Sequence, residues 1–229
     1  MDRPRIAVLL DENTSEDATR YEASKTYFAA VRDAGGLPFG IPYLPEIVAP
    51  VLDDFDGLLC VGGRFAYPDA WYLDGMRSPF PESERLGIER ALMEGFLSRD
   101  KPVLGICAGM QMLACLHGCR LSPDLKATRP GAGEHDKRGH IHAVELASGS
   151  MLAGIVGQGT LPVNSRHREE VAAVSSRVVA SAHAGDGVVE AVEVPGRRFA
   201  LGLQWHQEAF AGTDHPGNRI FNAFVGACA

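Results

Sequence analysis

Three short runs of the chain are apolar almost without a break: "RIAVLL" (5–10), "DGLLCVGG" (56–63) and "PVLGI" (102–106). A strand with one wet face alternates polar and apolar residues. An unbroken apolar run of strand length must instead be covered on both faces. Helical patterns separate the runs. From Ser15 to Ala34, Tyr21, Ser24, Tyr27, Phe28 and Val31 share one face, and Gly35-Gly36 stop the helix. "LPFGIPYL" reads as a short, proline-limited strand and "IVAPVLDDF" as a short helix. Glu82–Ser98 and Ala108–His117 read as helices that follow the second and third apolar runs. Strand and helix in alternation predict an α/β fold: a central, mostly parallel sheet with helices on both faces.

The second half has a different pattern. "HIHAVEL", "RVVASAHA", "VVEAVEV" and "RFALGLQW" alternate or run apolar, and Gly, Asp and Ser turns join them. They are expected to add antiparallel strands to the sheet, before a last helix over 215–226. Residues 64–81, "RFAYPDAWYLDGMRSPFP", read as a long loop over the end of the sheet, in which Trp71 and Tyr72 are candidates for a lid or for packing down. With no repeat, charge block or evident linker, residues 1–229 read as one domain.

The net charge of −7 argues against wholesale binding to nucleic acid or an anionic membrane. No apolar stretch has membrane-spanning length. The five cysteines are odd in number and include no CxxC pair; with no evident signal peptide, a reducing, cytoplasmic setting is expected.

One cysteine stands out by position. Gly105-Ile106-Cys107-Ala108-Gly109 places a thiol where a strand ends and a helix begins. This is the geometry of a nucleophile elbow, with small neighbours that let strand and helix approach. The helix starting at Ala108 directs free N–H groups at the same point, which favours a thiolate and a developing oxyanion. On its own the motif fits equally a buried cysteine in a tight turn. The stretch "GLQWHQE" (202–208) supplies the rest: a second apolar strand runs into His206, with Glu208 two residues on. A thiol needs a base, and the base needs an orienting acceptor, so Cys107, His206 and Glu208 form a candidate triad.

Taken together, "LLCVGG", "PVLGICAGMQML", "VNSRHRE" (163–169), "DGVVEAVE" (186–193) and "GLQWHQE" resemble, in order, the motifs of class I glutamine amidotransferase-like hydrolases. Within these the chain is most similar to the gamma-glutamyl-gamma-aminobutyrate hydrolase type. The resemblance implies a flavodoxin-like sheet, Cys107 as nucleophile, His206 as general base and acid, and Glu208 as its orienter. It implies an oxyanion hole from the N–H groups of Gly63 and Ala108. Gln111 would face the glutamyl group, and Asn164, Ser165, Arg166 and His167 would form another wall. It implies a small-molecule gamma-glutamyl substrate and neither metal nor organic cofactor, and it leaves self-association open. Three residues depart from the family pattern: Ala108 in place of an arginine, Arg64 in place of an aspartate, and Gln207 in place of a proline. All three keep the backbone donors and bear on the substrate, and Arg64 becomes a candidate partner for a substrate carboxylate.

The histidines of "EHDKRGHIH", His135, His140 and His142, match no common zinc spacing, and no metal site is expected there. Two other functions stay open on the same fold: a glutaminase subunit serving a separate synthetase, and a binding protein without turnover.

Overall fold

The computed structural model describes residues 3–12, 20–157 and 159–229. The chain opens with β1 (Arg5–Leu9), a two-residue pair β2 (Asp11–Glu12) and β3 (Tyr21–Glu22), helix α1 (Lys25–Asp33) and β4 (Leu37–Ile41). Helix α2 (Val48–Asp54), β5 (Gly57–Cys60), α3 (Arg85–Ser98), β6 (Val103–Ile106) and α4 (Ala108–Leu116) continue the alternation. The second half holds β7 (Arg120–Ser122), α5 (Leu125–Thr128), β8 (Ile141–Leu146), α6 (Met151–Val156), β9 (Thr160–Asn164) and β10 (Glu170–Ala173). Last come β11 (Val179–Ala184), β12 (Val189–Glu193), β13 (Ala200–Leu203) and α7 (Arg219–Ala227).

Nine strands form one sheet in the order β4-β1-β5-β6-β13-β12-β11-β8-β9. β4 through β13 run parallel, and β12, β11, β8 and β9 continue antiparallel. The apolar runs lie where their composition requires. Every residue of β5, β6 and β13 is buried. α3 and α4 cover one face, through Leu92, Phe96, Met110 and Leu113. α1 and α7 cover the other, through Tyr27, Val31, Phe221 and Phe224. The result is a flavodoxin-like, mostly parallel sheet with helices on both faces and an antiparallel extension at one edge.

Three expectations are corrected. The first helix starts at Lys25, because the Ser24 hydroxyl accepts from the Thr26 N–H and caps it; Tyr21 lies before it in β3. Residues 15–19 of that expected helix fall outside the described residues. Second, "RFALGLQW" is not an antiparallel addition. β13 pairs parallel with β6, in the register Gly105↔Gly202 and Ile106↔Leu203. Third, the final helix begins at Arg219, after a short turn over Pro216–Asn218. The loop aromatics are packed down: Tyr72 is fully buried, and Trp71 stacks on Tyr67 with centroids 5.7 Å apart.

Candidate active site

Parallel pairing of β6 and β13 carries both strand ends to the same edge of the sheet. Cys107 follows β6 directly and adopts φ 52° and ψ −103°. A non-glycine residue there stores on the order of 1–3 kcal/mol of backbone strain. The turn is held from both sides: the Cys107 N–H donates to the Leu203 carbonyl at 2.7 Å, and the Cys107 carbonyl accepts from the Gln111 N–H at 3.1 Å. Small neighbours make the turn feasible. A Cβ on Gly109 would lie 2.6 Å from the Cys60 carbonyl oxygen, and one on Gly105 would lie 2.4 Å from the Gly109 backbone.

Beyond β13 the chain presents His206, whose Nδ1 lies 2.8 Å from Glu208 Oε1. The backbone of His206 is clamped by one side chain: Asn164 Oδ1 accepts from its N–H at 2.9 Å, and Asn164 Nδ2 donates to its carbonyl at 2.8 Å. Burial works against the charged imidazole. Hydrogen bonds with Cys107 and Glu208, and the Glu208 charge, more than offset that and hold His206 up at about 10. The ring is therefore held as an imidazolium beside the Cys107 sulfur at neutral pH. Gln207, in the proline position of the resemblance, is fully buried. Its Oε1 accepts from Trp205 Nε1 at 2.9 Å, and its Nε2 donates to Asn218 at 3.1 Å.

The third edge is the turn after β5. A Cβ on Gly62 would fall 2.7 Å from His206 Cε1 and 3.5 Å from Cys107 Cβ, so only glycine lets cysteine, histidine and turn come together. Two residues shape this turn that the sequence reading did not identify. Tyr27, on the buried face of α1, accepts from the Gly62 N–H through its hydroxyl at 3.0 Å. Arg85 is fully buried; it binds Glu89 at 2.7 Å and Asp11 at 3.0 Å, and donates to the carbonyls of Val61 and Gly62.

These groups open onto a cleft of about 830 Å³ lined by Cys107, His206, Glu208, Asn164, Ser165 and Arg166. On the other side of Cys107 a narrow pocket of about 20 Å³ is lined by Gly63, Arg64, Ala108, Gln111, His167 and Glu169. The eleven residues named from the sequence as triad, oxyanion donors, pocket wall or carboxylate partner all line one of these two adjoining cavities. Several are committed to neighbours. Gln111 Nε2 donates to Gln204 Oε1 at 3.1 Å and to the Glu169 carbonyl at 3.3 Å. Ser165 donates to the His135 carbonyl at 2.8 Å. Arg64, half-exposed at the mouth, pairs with Asp136. Glu169 was not foreseen. Burial pushes its carboxyl up to about 7, against hydrogen bonds from Ser78 and Tyr72 that favour the carboxylate.

Five free thiols allow a direct test. Burial pushes Cys60 and Cys115 well above the usual thiol range, Cys119 upward and Cys228 up to about 12. Cys107 instead lines the cleft, at a helix N-terminus and beside an imidazolium. Iodoacetamide at neutral pH is expected to label Cys107 first in peptide mapping. Faster labelling of Cys60 or Cys115 would contradict this assignment.

Comparison with known proteins places this locus in a family. A gamma-glutamyl-gamma-aminobutyrate hydrolase of Escherichia coli O157:H7 is 29% identical over 242 residues, covering 100% of this chain and 94% of its own. One from Shigella flexneri is 28% identical, covering 99% and 94%. Among solved structures, the glutaminase domain of Trypanosoma brucei CTPS with bound acivicin superposes with a TM-score of 0.67. It is 19% identical and covers 98% of this chain and 93% of that one. The Peptidase C26 family model matches residues 4–208. That span begins one residue before β1 and ends on Glu208, the last residue to converge at the shared sheet edge, and the chain belongs to this glutamine amidotransferase-like hydrolase family.

Proposed function

We propose that the protein hydrolyses gamma-glutamyl amides through a glutamyl thioester on Cys107. The observation that carries this reading is the meeting of Cys107 with the His206–Glu208 pair across Gly62. The Cys107 thiolate, paired with the His206 imidazolium, attacks the gamma-carbonyl. The C–N bond breaks as His206 passes its proton to the departing amine. Water then attacks the thioester, His206 takes up its proton, and glutamate leaves as the C–S bond breaks and the thiolate–imidazolium pair is restored. The N–H groups of Ala108 and Gly63 are the oxyanion donors in this scheme, each worth about two to three orders of magnitude in rate.

The surroundings suit an α-amino acid end. Arg64 and Arg166 line the cleft beside Cys107 and can meet a carboxylate there, while the pocket of about 20 Å³ that Glu169 lines has room for about one water and would have to widen to admit an ammonium. An arriving ammonium would draw the proton off Glu169, whose carboxyl sits at about 7. Arg64 is available to a carboxylate on the leaving amine if that group displaces Asp136. Asn164 acts in this scheme as the positioning residue for His206 rather than as a substrate contact. Ser165 and His167 support the wall from behind.

A panel of gamma-glutamyl amines, with glutamine included, tests the reading on the purified chain. Amine or ammonia release is expected from the protein alone and is expected to vanish in Cys107→Ala. Release that appears only when a synthetase is added would identify a glutaminase subunit. Tight binding without release would identify a protein that has lost turnover.

A further inference from the structure

Behind the wall of the cleft, three histidines and a glutamate meet. His135 comes from the loop before β8, His142 from β8, His167 from the loop after β9, and Glu190 from β12. Glu190 is fully buried, His135 and His167 nearly so. Three ring nitrogens surround one carboxylate oxygen: His135 Nδ1, His142 Nε2 and His167 Nε2 lie 3.1, 3.2 and 3.4 Å from Glu190 Oε1. His135 Nδ1 is 3.2 Å from His167 Nε2. A tetrahedral zinc ion with bonds of about 2.0–2.1 Å spaces its ligand atoms about 3.3–3.4 Å apart.

The outer contacts decide what the inner nitrogens carry. His135 Nε2 lies 2.9 Å from Asp186 Oδ2, and His167 Nδ1 lies 3.0 Å from the Glu169 carbonyl. Both partners are acceptors, so both outer nitrogens hold the hydrogen. In the neutral rings, His135 Nδ1 and His167 Nε2 then turn lone pairs toward each other and toward Glu190. Fixing a tautomer from outside in this way is what the partners of metal-bound histidines do. The Ser165 hydroxyl, 3.3 Å from His135 Nδ1, is committed to the His135 carbonyl. Among the described residues, no Glu190 oxygen and no His142 nitrogen makes a hydrogen bond, although His142 Nε2 and Glu190 Oε1 face each other at 3.2 Å. The ligand atoms of His135, His142 and Glu190 all lie within 4.8 Å of one another. A proton between His135 and His167 would serve two of the four groups and leave the buried carboxylate to His142 alone.

We propose that His135, His142 and Glu190 bind one divalent transition-metal ion, zinc by the chemistry of the ligands. Two imidazoles and one carboxylate suit zinc rather than calcium or magnesium, which take oxygen ligands. The fourth position falls to water or to His167, whose Nε2 is 3.2 Å from His135 Nδ1, and the burial of Glu190 and His135 behind the cleft wall makes the ion structural. It ties the loops at 133–140 and 164–169 to the sheet. Asn164, which clamps His206, is the last residue of β9 and leads into the second of these loops. The site does not depend on the proposed hydrolysis, and its test reads metal rather than turnover.

Protein freed of metal by a chelator is titrated with zinc by calorimetry, and metal content is read after gel filtration. One zinc per chain is expected, together with an unfolding midpoint that rises with zinc. Cys107→Ala is expected to bind the same single equivalent, which separates this site from the cysteine–histidine pair. Asp186→Asn, which weakens the outer support of His135, is expected to bind about 10–100-fold more weakly. His142→Ala and Glu190→Gln, checked for folding by circular dichroism, are expected to lose more. No zinc uptake by the unmodified chain overturns the proposal whatever the variants do. So does uptake abolished by Cys107→Ala, or uptake unchanged in both His142→Ala and Glu190→Gln.

Discussion

His206→Ala is expected to turn over gamma-glutamyl amides at least about four orders of magnitude more slowly than the unmodified enzyme. The proposed chemistry moves a proton twice, to the departing amine and from the attacking water. His206 is the group placed to carry it, because its ring meets Cys107 across Gly62 and its other side rests on Glu208 at 2.8 Å. Glu208→Gln is expected to retain more activity than His206→Ala, since it orients the ring and stabilises the imidazolium without exchanging protons. It also carries a second signature. The Glu208 charge is one of the causes that hold the imidazole at about 10, so the NMR titration of His206 moves down in Glu208→Gln. The sign for stability follows from a raised folded value. The contribution of the His206–Glu208 pair is full below about 6.5, the ordinary histidine value, and is lost as the pH rises through about 10. Near-normal turnover in His206→Ala would remove the triad, and an unshifted imidazole in Glu208→Gln would remove the orienter.

Arg85→Met is expected to destabilise the fold by about 3–5 kcal/mol, because it leaves Glu89 buried and unpaired. In a chain of 229 residues that corresponds to a fall of roughly 6–20 °C in Tm. The guanidinium also holds the carbonyls of Val61 and Gly62, so the glycine turn should loosen and activity should fall with stability. The double replacement Arg85→Met with Glu89→Leu removes the stranded charge. It should recover much of the stability, while turnover stays low because the turn is still unheld. Chemical denaturation of the three proteins reads the difference. A loss below about 1 kcal/mol in the single variant would mean that water reaches Glu89, and the buried network would not be what holds the turn.

Much of this site was legible because its signals are local. An elbow needs small residues next to the nucleophile, and "GICAG" shows them in five letters. A strand that ends in His206, with a carboxylate two residues on, is equally compact. The first helix was extended too far, through a residue whose role is visible only with its partner in place: Ser24 caps the helix by accepting from Thr26. Spacing rules also passed over the histidine cluster. Two of its members lie in "EHDKRGHIH", but His167 and Glu190 join them from other loops and strands.

The sequence by itself determined the layered α/β order, the burial of the central strands and the candidate triad, because hydrophobic period and turn chemistry are written in neighbouring residues. Tertiary structure alone decided the direction of β13. A short apolar run carries no mark of parallel or antiparallel pairing, yet only the parallel register brings His206 to the end of the sheet where Cys107 lies. It decided as well that Asn164 would clamp His206, that Tyr27 and Arg85 would hold the Gly62 turn, and that three histidines would close around Glu190. Each of these is a contact between side chains far apart in the chain. The periodicity of any one segment constrains which face is buried, not which distant polar group will be found there.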